Sequence, residues 1–138
     1  MRMLLVEDDY ASRLMMSKYL ESLGTLDIAQ DGAAALEQFR AALEDGSPYG
    51  LVLLDIMLPE ADGQDVLKQM RSIEKEYGVK PVDMVKVIMT TALGDPKNVV
   101  KAFNEGRADS YLVKPIEKRK LIDEIGKLGF QIGVQDND

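Results

Sequence analysis

The 138-residue chain contains no cysteine and no histidine. Without cysteine it cannot form disulfides, thiolate nucleophiles or cysteine metal sites. Without histidine it has no Ser-His-Asp triad, no imidazole zinc site and no phosphohistidine of its own. The side chains that remain for chemistry are carboxylates, hydroxyls and the cations of lysine and arginine.

Long apolar runs and a surplus of basic residues are also missing. No apolar segment approaches the roughly 20 residues that a membrane span needs. Glu7, Asp8 and Asp9 end the first apolar run too early for a signal peptide. Lys and Arg number 17 against 24 Asp and Glu, so the net charge is -7. This acidity opposes direct binding to nucleic acid or anionic lipid. Since neither a membrane span nor a signal peptide is evident, we expect a cytoplasmic location.

The composition is that of an ordinary globular protein, with 46% hydrophobic and 30% charged residues. The length suits a single domain with one sizeable core. We predict one domain over residues 1–130 and a polar tail over residues 131–138. The sequence leaves open whether the chain is a complete protein or one domain of a longer one.

A short β-rich apolar run followed by a polar turn and a segment of helical period recurs five times. The predicted strands are residues 3–6, 26–29, 51–54, 85–89 and 110–113. Each is followed by a predicted helix, and residues 74–83 are predicted to form a loop. Strict alternation of strands and helices predicts an α/β fold, a doubly wound five-stranded parallel sheet with helices on both faces.

The predicted strands end in chemically complementary groups. These groups are Glu7, Asp8 and Asp9 after the first strand, Asp55 after the third, Thr90 and Thr91 in the fourth, and Lys114 after the fifth. Each has an ordinary structural explanation on its own; Asp9, for example, is equally suited to cap the first helix. Because ligands bind beyond the carboxyl ends of parallel strands, their joint occurrence favours a functional site.

The residue types indicate which chemistry this site supports. Crowded carboxylates repel one another, and hard oxygen ligands select Mg²⁺ or Mn²⁺. The Lys114 ammonium and the Thr91 hydroxyl suit phosphoryl oxygens. In the absence of histidine and cysteine a carboxylate is the natural phosphoryl acceptor, and Asp55, at the end of the central strand, is the best candidate.

Four segments resemble the receiver domains of two-component response regulators, the family that includes the chemotaxis protein CheY. The segments are Val6–Asp9, Asp55–Pro59 with Asp62 and Gly63, Thr91 with Ala92, and Tyr111–Pro115. The similarity extends from Met3 to Leu128. It implies a flavodoxin-like (βα)5 fold with strand order 2-1-3-4-5.

The resemblance also implies a function, a phosphoacceptor switch in a histidine–aspartate phosphorelay. A partner histidine kinase or histidine phosphotransfer protein would donate phosphate to Asp55. The implied ligands of Mg²⁺, with Mn²⁺ as an alternative, are Asp8, Asp9, Asp55 and the backbone carbonyl of Met57. The domain would not be an enzyme beyond its own phosphoryl transfer and dephosphorylation.

Further residues receive switch roles from the same resemblance. Thr91 would be the switch hydroxyl, with Thr90 as the alternative, and Tyr111 the switch aromatic. Lys114 would contact the phosphate, and Pro115 would follow a cis peptide bond. Phosphorylation would change the face formed by the fourth helix, fifth strand and fifth helix. That face would bind a downstream protein target, in a monomer or a weak dimer formed through the same face.

The sequence departs from the family pattern in residues 105–110, which are one residue longer than the usual turn, and in the span from Asp55 to Thr91. The span from Asp55 to Thr91 is long for the family, and we place the extra residues in the 74–83 loop, away from the site. A phosphatase of the haloacid dehalogenase type would need an Asp where Met57 stands. A flavodoxin-like electron carrier would need a flavin phosphate loop that is not evident. A receiver fold that binds partners without phosphorylation is disfavoured by the intact acidic set and Lys114.

Overall fold

The computed structural model describes residues 1–92 and 108–132. The main strands are β1 (Arg2–Val6), β2 (Thr25–Ala29), β3 (Leu51–Asp55), β4 (Lys86–Thr91) and β5 (Ser110–Val113). The helices are α1 (Tyr10–Leu20), α2 (Gly32–Glu44), α3 (Gly63–Glu76) and a C-terminal helix (Lys118–Lys127). A short hairpin pairs Met57–Leu58 with Ala61–Asp62, and Pro81–Asp83 form a 3-10 turn.

The main sheet is parallel throughout, in the order β2-β1-β3-β4-β5. This confirms the predicted strand order 2-1-3-4-5. The central strand β3 is buried along its whole length. Its continuous apolar run, Leu51 to Leu54, is explained by helices that cover both faces of the sheet.

Each face of the sheet carries its own apolar core. Successive side chains along a strand point to opposite faces. Leu4 and Val52 therefore contribute to the core beneath α2 and α3. Leu5 and Leu53 contribute to the other core, beneath α1 and the C-terminal helix. The molecule is thus the doubly wound α/β fold that the alternating pattern predicted.

The buried face of α1 does not include every apolar residue of the helix. Leu14 is 48% exposed. Met16 and Leu20 are the buried residues of this helix. Because residues 14 to 16 are all apolar, the sequence pattern does not show which face of α1 is buried. Contacts with the sheet determine that face.

The helix α3 continues beyond the point where a loop was predicted. The predicted loop began at Glu74, but the helix ends at Glu76. Glu74 is 2% exposed, and its carboxylate accepts hydrogen bonds from Arg71 Nη1 at 2.8 Å and from the Val85 N–H at 2.7 Å. Glu74 is therefore a buried residue whose two carboxylate oxygens both accept hydrogen bonds, and not the solvated loop residue that the sequence suggested.

The same network reaches the beginning of β5. Arg71 also donates to the Val85 carbonyl at 2.9 Å and to the Asp109 carboxylate at 3.4 Å. Asp109 accepts a further hydrogen bond from the Val87 N–H at 2.8 Å. These contacts join α3 to the start of both β4 and β5, at the edge of the sheet opposite the predicted site.

Some predicted features lie outside the described residues, namely the fourth helix, expected between Asp95 and Gly106, and the tail from residue 133 onward. The beginning of the predicted tail is described. There Ile132 packs against the core beneath α1 and does not fray into solvent. Over residues 1–92 and 108–132, no helix combines the length and apolar character needed to cross a bilayer.

Replacing Glu74 with alanine should lower the free energy of unfolding by about 3 kcal/mol, because it leaves the Val85 N–H and the Arg71 guanidinium without their buried acceptor. Urea unfolding measures this change. Glu76→Ala is the matched control two residues along the same helix. Its ion pair with Arg40 is exposed, so its loss should be under about 1 kcal/mol. Equal losses in the two variants would contradict the stabilising role of the network.

Candidate functional site

The strand register brings Glu7 and Asp55 together at the carboxyl edge of the sheet. Leu5 of β1 pairs with Leu53 of β3. Glu7 and Asp55 each follow two residues later, so they leave the sheet on the same face. Glu7 also donates its N–H to the Ala29 carbonyl of β2 at 3.1 Å, which extends the ladder beyond the end of β1.

The Lys114 ammonium joins these two carboxylates. Its Nζ lies 2.7 Å from Glu7 Oε1 and 3.0 Å from Asp55 Oδ2. The side chains of Glu7, Asp55 and Lys114 are 1%, 7% and 23% exposed. Burial raises the pKa of Glu7 despite the nearby ammonium. Burial opposes the charge of Lys114, but its contacts with both carboxylates outweigh this effect and raise its pKa, so the ammonium remains charged.

The backbone around Lys114 is bound to the neighbouring strand. The Lys114 N–H donates to the Thr91 carbonyl at 2.7 Å. The peptide bond between Lys114 and Pro115 is cis, as the resemblance implied. The end of β4 and the residue that carries the ammonium are therefore directly connected.

Both candidate switch threonines are buried beside the site. Thr90 pairs with Asp55 in the register of β3 and β4. Thr91 ends β4, and its hydroxyl donates to the Ala92 carbonyl at 3.1 Å. The register places Thr90 next to Asp55, and the backbone bond places Thr91 next to Lys114, so both residues border the same group of charges.

Three carboxylates form a compact acidic cluster. Among the residues that the structure describes, Glu7, Asp8 and Asp55 offer carboxylate oxygens within 4.8 Å of one another. Asp8 is exposed and the other two are buried. The cluster is therefore accessible from solvent on the side of Asp8.

Asp9 does not join this cluster. It is the N-cap of α1, where its Oδ2 accepts a hydrogen bond from the Ser12 N–H at 2.9 Å. Hydrogen bonds from the backbone N–H and the hydroxyl of Ser12 lower the pKa of Asp9. Asp9 therefore caps α1, and the carboxylates that lie close to Asp55 are those of Glu7 and Asp8. The physical reason is that the first turn of α1 has N–H groups that need an acceptor.

The alternation of residues along β1 is a sequence signal for the position of Glu7. Met3, Leu5 and Glu7 lie two residues apart, which continues the alternation of β1 toward the face that carries the site. Met3 and Leu5 are both buried in the core beneath α1. A residue that extends this alternation at the end of the strand is expected to point toward the same face as Asp55.

A short hairpin follows Asp55 directly. Asp55 Oδ1 accepts a hydrogen bond from the Met57 N–H at 2.9 Å. In the hairpin turn, Glu60 has a φ of 63°, in the left-handed region that residues other than glycine rarely adopt. Asp62 then caps α3 by accepting from the Gln64 N–H at 2.8 Å. The hairpin therefore orients one oxygen of Asp55 and leads straight into α3.

Gly63 allows α3 to approach the end of β3 closely. A Cβ atom at this position would lie 2.2 Å from the Asp55 carbonyl oxygen and 2.8 Å from Ile56 Cα. The Gly63 N–H donates to the Ile56 carbonyl at 2.7 Å. The N-terminus of α3 thus packs on the backbone that carries Asp55, and no side chain fits between them.

The donor set suits a hard divalent cation. Carboxylate oxygens are the ligands that Mg²⁺ and Mn²⁺ prefer. With all three carboxylates ionised, the single ammonium of Lys114 leaves negative charge uncompensated in the cluster. A divalent cation would remove this repulsion. The residues present therefore fit the metal that the resemblance implied.

Comparison with known proteins decides the family. Residues 3–126 match the family described as the response regulator receiver domain. The chain belongs to this family. Receiver domains are the phosphoacceptor modules of two-component signalling, and this chain is therefore a module of that kind.

The receiver domain is similar to parts of longer signalling proteins. It is 31% identical over 135 residues to Probable histidine kinase 2 of Oryza sativa subsp. indica, covering 91% of this chain and 12% of that protein. It is 36% identical over 129 residues to Probable transcriptional regulatory protein SilR of Salmonella typhimurium, covering 93% of this chain and 50% of that protein. The chain thus spans half or less of these relatives.

A solved structure of similar length shares the fold. The response regulator receiver domain protein (CheY-like) from Methanospirillum hungatei JF-1 is 27% identical, with a TM-score of 0.75. The superposition covers 92% of this chain and 91% of that chain. The similarity therefore extends over most of both chains.

Gly63→Ala should lower the free energy of unfolding by about 2 kcal/mol, because the new methyl group must displace the backbone at Asp55. Chemical denaturation measures this loss. Gly126→Ala, in the C-terminal helix, is the control, since its nearest neighbour is Ile132 Cδ1 at 3.6 Å. That substitution should raise stability by about 0.5 kcal/mol through helix propensity. A Gly63→Ala variant as stable as the wild type would show that the close approach is unimportant.

Proposed function

We propose that this receiver domain is a switch in which Asp55 accepts a phosphoryl group from the histidine of a kinase or phosphotransfer protein. The observation that supports this role is the position of the Asp55 carboxylate. It is buried, lies 3.0 Å from the Lys114 ammonium and shares a 4.8 Å cluster with Glu7 and Asp8. The carboxylate nucleophile, the Lys114 ammonium and oxygens suited to bind a metal ion thus lie close together.

In the proposed reaction, an oxygen of Asp55 attacks the phosphorus of a phosphohistidine. The new O–P bond forms as the N–P bond breaks, and the imidazole of the donor leaves with a proton taken from solvent. The Met57 N–H holds Oδ1 of Asp55 in a fixed orientation. Lys114, already in contact with Oδ2, neutralises negative charge on the incoming phosphoryl oxygens.

The proposed cation ligands are the carboxylates of Glu7, Asp8 and Asp55 together with the backbone carbonyl of Met57. Glu7 takes the place that the sequence assigned to Asp9. Mg²⁺, or Mn²⁺ in its place, would neutralise the cluster and the phosphoryl oxygens when bound. Lys114, which is paired with both Glu7 and Asp55, already holds Asp55 at the edge of the sheet, so the chain itself orients the acceptor.

Asp55→Asn should abolish phosphorylation, because an amide does not replace the carboxylate nucleophile. The wild type, treated with acetyl phosphate and Mg²⁺, should gain the mass of one phosphoryl group in intact-mass spectrometry. The control is Asp65→Asn, an exposed carboxylate in the first turn of α3. This variant should be modified like the wild type. Modification of the Asp55→Asn protein at an equal level would refute the assignment.

Asp8→Asn and Asp9→Asn should separate the two candidate ligand sets. Asp8→Asn should weaken Mg²⁺ binding at least about tenfold, because it removes a carboxylate of the cluster. Asp9→Asn should bind Mg²⁺ as the wild type does, since asparagine is an equally good N-cap. Isothermal titration calorimetry measures both affinities. The reverse pattern would make Asp9, and not Asp8, a ligand of the cation.

We also propose that phosphorylation is transmitted through Thr91 and Tyr111. Thr91 is buried and bound through its carbonyl to Lys114. Tyr111, on β5, is 41% exposed, and its ring would move inward when the threonine moves toward the phosphoryl group. The face that changes would include β5, the C-terminal helix and the predicted fourth helix, which lies outside the described residues.

The remaining parts of the function are proposals of the same kind. The domain, placed at residues 1–130, would act in the cytoplasm, as a monomer or a weak dimer through the switching face. It would bind a protein target and not nucleic acid, in keeping with its charge of -7. It would take part only in its own phosphoryl transfer and dephosphorylation, without turning over a separate substrate.

A further inference from the structure

We propose that Arg13 is a positioning residue for the cation site. Its guanidinium fixes the turn between β1 and α1, so that the carboxylates of Glu7 and Asp8 point toward Asp55. This inference rests on the proposed function, because it assigns Arg13 a role toward the cation that the cluster would hold. Arg13 itself lies on α1 and contributes no oxygen to that cluster.

Arg13 binds the carbonyl groups of all three residues in this turn. Its Nη1 donates to the Glu7 carbonyl at 3.3 Å and to the Asp8 carbonyl at 3.1 Å. Its backbone N–H donates to the Asp9 carbonyl at 2.9 Å. A single residue thus restrains the whole segment that carries two of the three clustered carboxylates.

The guanidinium is itself held from a second side. Its Cζ lies 5.6 Å from the centroid of the Tyr10 ring, within the range of a cation–π contact. Arg13 is partly buried, and Tyr10 is largely exposed. The ring limits the directions in which the guanidinium can turn, which favours the orientation that binds the Glu7 and Asp8 carbonyls.

The turn is also restrained through its other polar groups. Glu7 Oε2 accepts a hydrogen bond from the Asp9 N–H at 3.1 Å, and Asp9 Oδ2 caps α1 through Ser12. These bonds fix the side chains of Glu7 and Asp9, whereas the Arg13 side chain fixes the backbone at Glu7 and Asp8. Asp8, the exposed member of the cluster, depends most on this backbone restraint.

Arg13 has two opposing effects on a cation. Its positive charge repels a divalent ion, but this effect is screened by salt and amounts to a few-fold at most for a partly exposed group. Its restraint of the turn favours binding, since groups that orient metal ligands typically contribute about tenfold or more to affinity. The positioning effect therefore dominates, and loss of Arg13 should weaken binding.

The test compares Arg13→Gln and Arg13→Lys in the full chain. Both should bind Mg²⁺ about tenfold more weakly than the wild type in isothermal titration calorimetry. In phosphorylation by acetyl phosphate, the half-saturating Mg²⁺ concentration should rise by a similar factor. The rate at saturating Mg²⁺ should stay near that of the wild type. The control is Lys18→Gln, which removes one charge from the last turn of the same helix and should leave Mg²⁺ affinity unchanged.

Other outcomes would overturn the inference in distinct ways. Tighter binding by Arg13→Gln with unchanged binding by Arg13→Lys would show that only the charge of Arg13 matters. Unchanged binding by both variants would show that the turn needs no restraint. If Arg13→Gln fails to fold without Mg²⁺, judged by thermal melting, Arg13→Lys decides alone. A wild type that binds no Mg²⁺ would instead refute the proposed cation site, and the inference with it.

Discussion

The contact of one ammonium with two buried carboxylates is the interaction on which the site depends. Lys114, after β5, reaches Asp55 at the end of β3 and Glu7 at the end of β1. Removing such charges from water is unfavourable unless they are paired with good geometry. The three strands must therefore keep their register, because a shift by one residue would turn these side chains toward opposite faces. The Asp55 carboxylate is thus oriented by residues of the chain itself.

The architecture could be predicted from the sequence because its signals are periodic. Five apolar runs separated by helical patterns indicated a parallel sheet, and residues 110–113 were predicted with the same limits as β5. Weak or absent periodicity explains the errors. The hairpin at Met57–Asp62 has strands of two residues, too short for a pattern. Glu74 was assigned to a loop because its partners, Arg71 and Val85, are brought to it only by folding.

The site could be predicted in part. Asp55 and Lys114 were identified from their positions after strands, and the structure brings them into contact. The three consecutive acidic residues after β1 were harder to distinguish, since the sequence alone does not say where the strand stops and α1 starts. Once those limits are known, Asp9 is the helix cap and Glu7 continues the alternation of β1. The roles of neighbouring carboxylates thus depend on the ends of secondary structure elements more than on residue type.

Hydrogen bonds at both ends of β5 restrict how this strand can move relative to β4. Asp109, just before the strand, binds Val87 through both its N–H and its carboxylate, and Lys114, just after it, binds the Thr91 carbonyl. The strand is thus hydrogen-bonded to β4 at both of its ends. It cannot slide along β4 without breaking one of these bonds. In the proposed switch, Tyr111, which lies between them, would therefore change its rotamer while the backbone of β5 stays in place.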